Sequence, residues 1–253
     1  MARSPAPAAE APAPPLGLCA AWSSHAAELA VPIGDALQEW EDTPSTRVLV
    51  AEGLLARLLP GRYVPPDVLH GAIPRALALG CAMGARLLPH HVIAGPSAAW
   101  VLLGGVPPTV PELLSATHRS AMAGVSLRHG MLRPDEVETV GGAPMTVPER
   151  TAIDLLRYCP VPAAAPLLRG LERSGHLERG AVDRALRRMD RHPGIRAVRG
   201  RWEEYLERSA PRRDFLRGRA PQGGILRPRA PGSAQLAVSG AEAPTGLPSA
   251  VTR

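Results

Sequence analysis

Lysine and asparagine do not occur in the 253 residues, and phenylalanine occurs once. Every permanently basic side chain is therefore an arginine. Aromatics amount to 3%, so a core has to be packed mainly from Leu, Val and Ala. The three cysteines, Cys19, Cys81 and Cys159, are widely separated. That spacing supplies neither a metal-binding cysteine motif nor a disulfide framework, and we read them as small buried hydrophobes in a reducing compartment. No apolar run approaches the roughly 18 residues needed to span a bilayer. The N-terminus has no apolar stretch of signal length. These absences lead us to expect a cytoplasmic protein with no membrane partner. Phosphate-loop and dinucleotide fingerprints are missing as well, and we expect no cofactor.

What is present is charge, proline and short apolar periods. The net charge is +6 and proline numbers 29; a basic excess favours a polyanionic partner. Residues 1–15 are Ala/Pro-rich and read as a disordered arm, and residues 211–253 as a disordered basic Pro/Gly/Arg-rich tail. Between them, Leu16 to Trp40 reads as helical, divided by Pro32 into two short helices. A further helix follows Thr43, with Thr43 as cap, Pro44 in the first turn and Gly53 at the end. Leu54–Leu59 and Arg62–Val64, joined by Pro60-Gly61, form a hairpin that Pro65 and Pro66 stop. A helix followed at once by a ribbon bearing Arg57 and Arg62 is the build of a winged helix-turn-helix, in which the helix enters a groove and the wing touches phosphate. The same residues also suit a helix and hairpin that only fill a small core.

Further along, one helix is expected over Asp67–Leu88 with Pro74 in an early turn or at a kink, then a short strand at His90–Ala94. A compact helix anchored by Trp100 and closed by Gly104-Gly105 follows. Two strands lie at Leu113–Thr117 and Gly124–His129, and Gly141-Gly142 turns a hairpin. Thr146 with Glu149 reads as a capping box opening a helix whose buried face holds Ala152, Ile153, Leu155, Leu156 and Cys159. Helices at 163–174, 178–190 and within 191–207 complete the pattern, with Gly175 as a left-handed terminus. The fold class is thus α+β: a winged helix-turn-helix over 16–66, a mixed α/β domain over 67–210 ending in a helical segment, and disordered termini.

Little in the sequence suggests catalysis. Adjacent His90 and His91 would point to opposite faces of a strand, so no metal site is expected among them, His118 and His129. Ser97 lacks the second glycine of a nucleophile elbow and reads as a capping serine. Asp154 falls four residues after Arg150 and three before Arg157, a spacing for an ion-pair cluster with no second carboxylate at helical spacing. The arginines at 169, 173, 184, 187, 188 and 191 form either a solvated face or a second phosphate-binding surface.

Three segments in order carry a resemblance: Arg47–Pro66 (RVLVAEGLLARLLPGRYVPP), His91–Gly105 (HVIAGPSAAWVLLGG) and Val137–Arg157 (VETVGGAPMTVPERTAIDLLR). Over about residues 20 to 190 the chain resembles the AbiE-type antitoxins of type IV toxin–antitoxin systems, in their actinobacterial form. The third segment matches through Gly142, Pro144, Thr146, Arg150, Thr151, Asp154 and Leu155. The resemblance implies a winged helix-turn-helix that represses its own promoter. It also implies a second domain that counters a nucleotidyltransferase-like toxin without a stable complex. Many relatives continue into a very-short-patch-repair-like endonuclease domain, which would begin near Arg199. Here a Pro/Arg-rich stretch without lysine stands instead, and no nuclease is expected.

We therefore expect a non-enzymatic DNA-binding regulator. Ser45, Thr46 and Arg47 would face the groove of double-stranded DNA, Arg57 and Arg62 would contact phosphate, and Tyr63 would pack behind. Trp100, Arg150, Thr151 and Asp154 would be structural. Two other readings remain open: a targeting remnant of an endonuclease-fused relative, and an interaction scaffold whose DNA-binding half has degenerated.

Overall fold

The computed structural model describes residues 17–117, 121–190 and 192–210. The expected arm, the basic tail, His118 and Arg191 lie outside these residues. The described chain is a mixed α+β structure of helices and two sheets.

Helix α1 (Ser24–Ala36) is a single helix with Pro32 inside it. This corrects the expected division into two short helices. An interior proline removes one backbone hydrogen bond and crowds the preceding turn. The helix nevertheless continues, because Ala26, Ala30 and Ile33 are buried on one side of it and packing outweighs local propensity. Ser23 caps it, its hydroxyl accepting the Ala26 N–H at 3.0 Å. After β1 (Gln38–Glu39) comes α2 (Pro44–Ala51). Thr43 accepts the Thr46 N–H at 3.2 Å, and the Thr46 hydroxyl accepts the Thr43 N–H at 2.8 Å. This reciprocal cap explains why so short a helix starts where it does. Strands β2 (Ala56–Leu59) and β3 (Arg62–Val64) then form the expected hairpin. Gly61 adopts φ +71° in its turn, a conformation glycine reaches without strain. The first sheet has the order β1–β3–β2, all antiparallel.

The single helix expected over Asp67–Leu88 is instead three pieces. A 3-10 turn, Pro66–Leu69, precedes α3 (Ala72–Met83), and a second 3-10 turn, Gly84–Arg86, follows it. Pro74 sits in the first turn of α3, as expected. Ala76 to Met83 are all buried, which makes α3 the central helix of the larger apolar cluster. That cluster joins Ala26 and Ile33, Leu58 and Leu59, Leu77 and Leu79, and Ala143 and Met145, so it includes residues on both sides of position 66.

The second sheet is built from β4 (Val92–Ile93), β5 (Glu112–Ser115), β6 (Ser126–His129), β7 (Val137–Val140) and β8 (Ala143–Thr146). Its order is β6–β5–β4–β8–β7, with β4/β8 and β5/β6 parallel. Helix α4 (Gly95–Leu103) lies between β4 and β5 in the chain. Trp100 on α4 is buried and donates its indole N–H to the Gly105 carbonyl at 3.0 Å. Four helices complete the described chain: α5 (Pro148–Tyr158), α6 (Val161–Arg173), α7 (Arg179–Arg188) and α8 (Ile195–Ser209). They share a second apolar cluster that includes Ile153, Leu168, Val182 and Trp202. The capping box expected from Thr146 and Glu149 does not form. The cap residue is Val147, without a side-chain hydrogen bond, and the Thr146 hydroxyl lies 2.7 Å from that of Thr151 instead.

The β7–β8 turn docks on the start of α1. Ser23 donates its hydroxyl to the Gly142 carbonyl at 3.2 Å. Gly142 has φ +83°, and a Cβ there would lie 2.4 Å from the Ser23 hydroxyl and 2.8 Å from the Ala26 nitrogen. Gly142→Ala is therefore expected to lower stability by about 2–3 kcal/mol, combining left-handed strain with loss of the α1 cap. Chemical denaturation checks this, and an unchanged midpoint would contradict the docking described.

Candidate functional site: the arginine ribbon and a buried ionic centre

The residues expected to bind DNA gather around α2 and the β2–β3 ribbon, but they do not form one face. Ser45 and Arg47 are exposed on α2, whereas Thr46 is buried and its hydroxyl serves the helix cap. Thr46 is thus a structural residue and is not turned toward a groove. Tyr63 is buried, and its hydroxyl donates to Asp42 Oδ1.

Strand register separates the two wing arginines. Arg57 stands opposite Tyr63, while Arg62 stands opposite Leu59 on one side and Glu39 on the other. Successive residues in a strand point to opposite faces, so Arg62 and Tyr63 diverge, and Arg57 goes with Tyr63. The two side chains therefore start from opposite faces of β3's register, on either side of an irregularity in β2 between Arg57 and Leu59. Each also meets a carboxylate of the chain itself. Arg57 NH2 lies 2.6 Å from Asp42 Oδ2, and Arg62 pairs with Glu39. The Arg57 guanidinium, then the Tyr63 hydroxyl, hold the Asp42 carboxyl well below the usual carboxylate range. Asp42 also accepts the Gly61 N–H at 3.1 Å, so one carboxylate organises the turn, the arginine and the tyrosine.

A groove of about 360 Å³ opens behind this ribbon, lined by Val50, Leu55, Ala56, Arg57, Val106 and Pro107 among others. Val106 in its lining is 88% exposed.

The second constellation is buried. Arg150 and Asp154 on α5 are 3% and 0% exposed, and Glu136, just before β7, is 7% exposed. Arg150 Nε contacts both Asp154 oxygens at 3.1 Å, and its NH1 donates to Glu136 Oε2 at 3.2 Å. A second carboxylate therefore joins the centre, from a distant part of the chain. Arg157 does not bond to Asp154, and its Nε and NH2 are buried without a hydrogen-bond partner. Burial pushes the Asp154 carboxyl up to about 6, against the opposing pull of Arg150. Thr151 is buried beside the centre and donates to the Thr146 carbonyl at 3.1 Å. A neighbouring cavity of about 240 Å³ is bordered by Arg150, Arg184 and Arg188 but also by Asp135, Glu136 and Glu149. Its charges balance. Elsewhere on the arginine-rich helices, Arg179 pairs with Glu172 at 2.9 Å.

Glu112 on β5 belongs to the same neighbourhood. Its carboxylate accepts from Arg128 Nε at 3.0 Å. A Cβ on Gly95 would lie 2.4 Å from Glu112 Oε1, so only glycine admits the acid beneath the start of α4. Burial raises the Glu112 carboxyl, and Arg128 opposes the rise. Ser97, expected as a cap, is the third residue of α4, and its hydroxyl accepts the Glu112 N–H at 2.8 Å. His91 is buried, with Nδ1 accepting the Leu88 N–H at 3.2 Å. Among the described residues no group of three or more His, Cys, Asp or Glu side chains is placed to hold a metal ion. No described helix is long and apolar enough to cross a membrane.

The chain matches no protein-family model and no curated protein. The roles of Glu136 and Glu112, and the pairing of Asp42 with Arg57, are not visible in the sequence, because each acid meets its arginine 14 to 16 positions away. The signal for Asp42 was faint: an acid just ahead of a ribbon that carries arginines.

Asp154 makes a definite contribution to pH dependence. Its folded value, about 6, exceeds the ordinary 3.8. The folded state then holds a proton that the unfolded state has released, so this contribution is complete below the ordinary value and is lost as pH rises through the folded one. The stability of the wild type relative to Asp154→Asn is expected to fall as pH rises through about 6. Paired denaturation curves across that window measure it, and parallel curves would contradict the burial argument.

Proposed function

We propose that this chain is a non-enzymatic regulatory module of the AbiE antitoxin type that acts by contacting another protein, its winged-helix-derived front having lost its grip on phosphate. The observation that carries this reading is the disposition of Arg57 and Arg62, on opposite faces and each bound to an internal carboxylate. A wing needs its cations together and free, because affinity for a duplex comes from displacing counterions at several phosphates at once. An arginine already neutralised by Asp42 or Glu39 must break that pair first.

Derivation from a winged helix is supported by the order helix, strand, helix, hairpin and by the sheet order β1–β3–β2. Only one helix, α2, stands between β1 and the ribbon, so the usual pair of helices is reduced. Protein contact is supported by the apolar groove and the exposed Val106 in its lining; exposed apolar surface of this kind marks interaction sites. The resemblance suggests a nucleotidyltransferase-like toxin as the partner, met transiently.

A second reading is a repressor at its own promoter. It is favoured by the exposure of Ser45 and Arg47 on the helix directly ahead of the ribbon. Fluorescence anisotropy on the upstream DNA at increasing salt separates the two. Contact through protein predicts weak binding that Arg57→Ala with Arg62→Ala leaves unchanged. The repressor reading predicts sequence-specific binding and a salt slope that falls by about two units in the double variant. That second result would overturn the main reading. A photocrosslinker at position 106 should meanwhile capture one discrete protein in cells, and Val50→Asp in the same groove should abolish the adduct.

A further inference from the structure

Two of the three cysteines, distant in sequence, meet in the interior. Cys19 lies in the turn before α1 and Cys81 on α3, and their sulfurs are 3.8 Å apart. Both are buried, at 3% and 2% exposure. Cys19 Sγ also reaches the Leu77 carbonyl at 3.4 Å, which directs it along α3.

The backbone around the pair is specialised. Cys19 is the one non-glycine residue with positive φ, +64°, among the described residues. A side chain in that region carries a strain of about 1–2 kcal/mol that glycine would avoid. Next to Cys81 stands Gly80, where a Cβ would lie 2.6 Å from Cys19 Sγ and 2.6 Å from the Trp22 ring. A strained cysteine facing a glycine that makes room for its sulfur is more than a small apolar filler requires.

We propose that Cys19 and Cys81 are a thiol-oxidation site, closing to an internal disulfide that fastens the turn before α1 to α3. The sulfurs need to approach by roughly 1.8 Å to reach bonding distance. Their mutual hydrogen bond pushes the Cys19 thiol up and draws the Cys81 thiol down, so Cys81 ionises first. With hydrogen peroxide as oxidant, the Cys81 thiolate attacks one peroxide oxygen and the O–O bond breaks. The departing hydroxide takes up a proton, giving water and a sulfenic acid. The Cys19 sulfur then displaces hydroxide from the sulfenic sulfur, and the thiol proton leaves with it as a second water. Two thiols and one peroxide become one disulfide and two waters. The oxidant reaches the pair when the turn of residues 17–22, which belongs to no helix or strand, opens locally. The bond closes a large loop, since the cysteines are 62 positions apart, and so restricts the unfolded chain strongly.

The test is made on the full chain carrying Cys159→Ser, so that both cysteines of the pair remain. The folded protein is treated with hydrogen peroxide, residual thiols are alkylated, and peptides are mapped by mass. A Cys19–Cys81 cross-linked peptide is expected, lighter than its two thiol parts by two hydrogen atoms and reversed by dithiothreitol. The melting temperature should rise by roughly 5–10 °C on oxidation and return on reduction. Cross-linking in the unsubstituted chain is read from the same peptide, so the result does not depend on how Cys159→Ser folds. Recovery of both thiols in alkylated form would overturn the proposal. Separate over-oxidation of each sulfur, or a lower melting temperature after cross-linking, would do the same.

Discussion

One buried arginine joins α5 to the approach to β7. Arg150 places a full positive charge in the interior, which is tolerable only because Asp154 and Glu136 surround it at hydrogen-bond distance. Asp154 comes from the same helix, but Glu136 comes from the approach to β7. The pairing therefore ties α5 to the second sheet. Helix α5 in turn packs against α4, α6, α7 and α8, and Thr151 joins it to the end of β8 through Thr146. Removing either acid would leave Arg150 one carboxylate and strand buried N–H donors, a cost in lost hydrogen bonds.

The same chemistry at the ribbon has a different consequence. Asp42 and Glu39 take up Arg57 and Arg62 near the surface, where each pair contributes little to stability because water screens it. What the pairs change is availability. A guanidinium occupied by a neighbouring carboxylate has fewer free N–H donors to offer any other anion. Asp42 also supports the Pro60-Gly61 turn and Tyr63, so it cannot readily release its arginine.

Local structure was largely legible. Thr43-Pro44, Pro60-Gly61, Gly141-Gly142 and Gly175 each mark a cap or turn whose backbone angles follow from residue type, and the helices from α4 onward follow their apolar periods. The misreadings share one origin. Pro32 and the Asp67–Leu88 stretch were read from local propensity, yet burial of Ala30 and Ile33 carries one helix through a proline, and Gly71 and Gly84 bound another. Thr146 has the spacing of a cap but is claimed by Thr151 in the core.

The amino-acid order alone determined the turns, the helix starts, the Arg150–Asp154 spacing and the positions of the ribbon arginines, because each depends on neighbours within one or two turns of chain. Tertiary structure alone decided which acid meets which arginine, on which face of the ribbon each cation emerges, and that Cys19 touches Cys81. Those outcomes join residues 14 to 62 positions apart. At such separations nothing but the packed fold, with the low dielectric and steric exclusion of its interior, selects one partner over another.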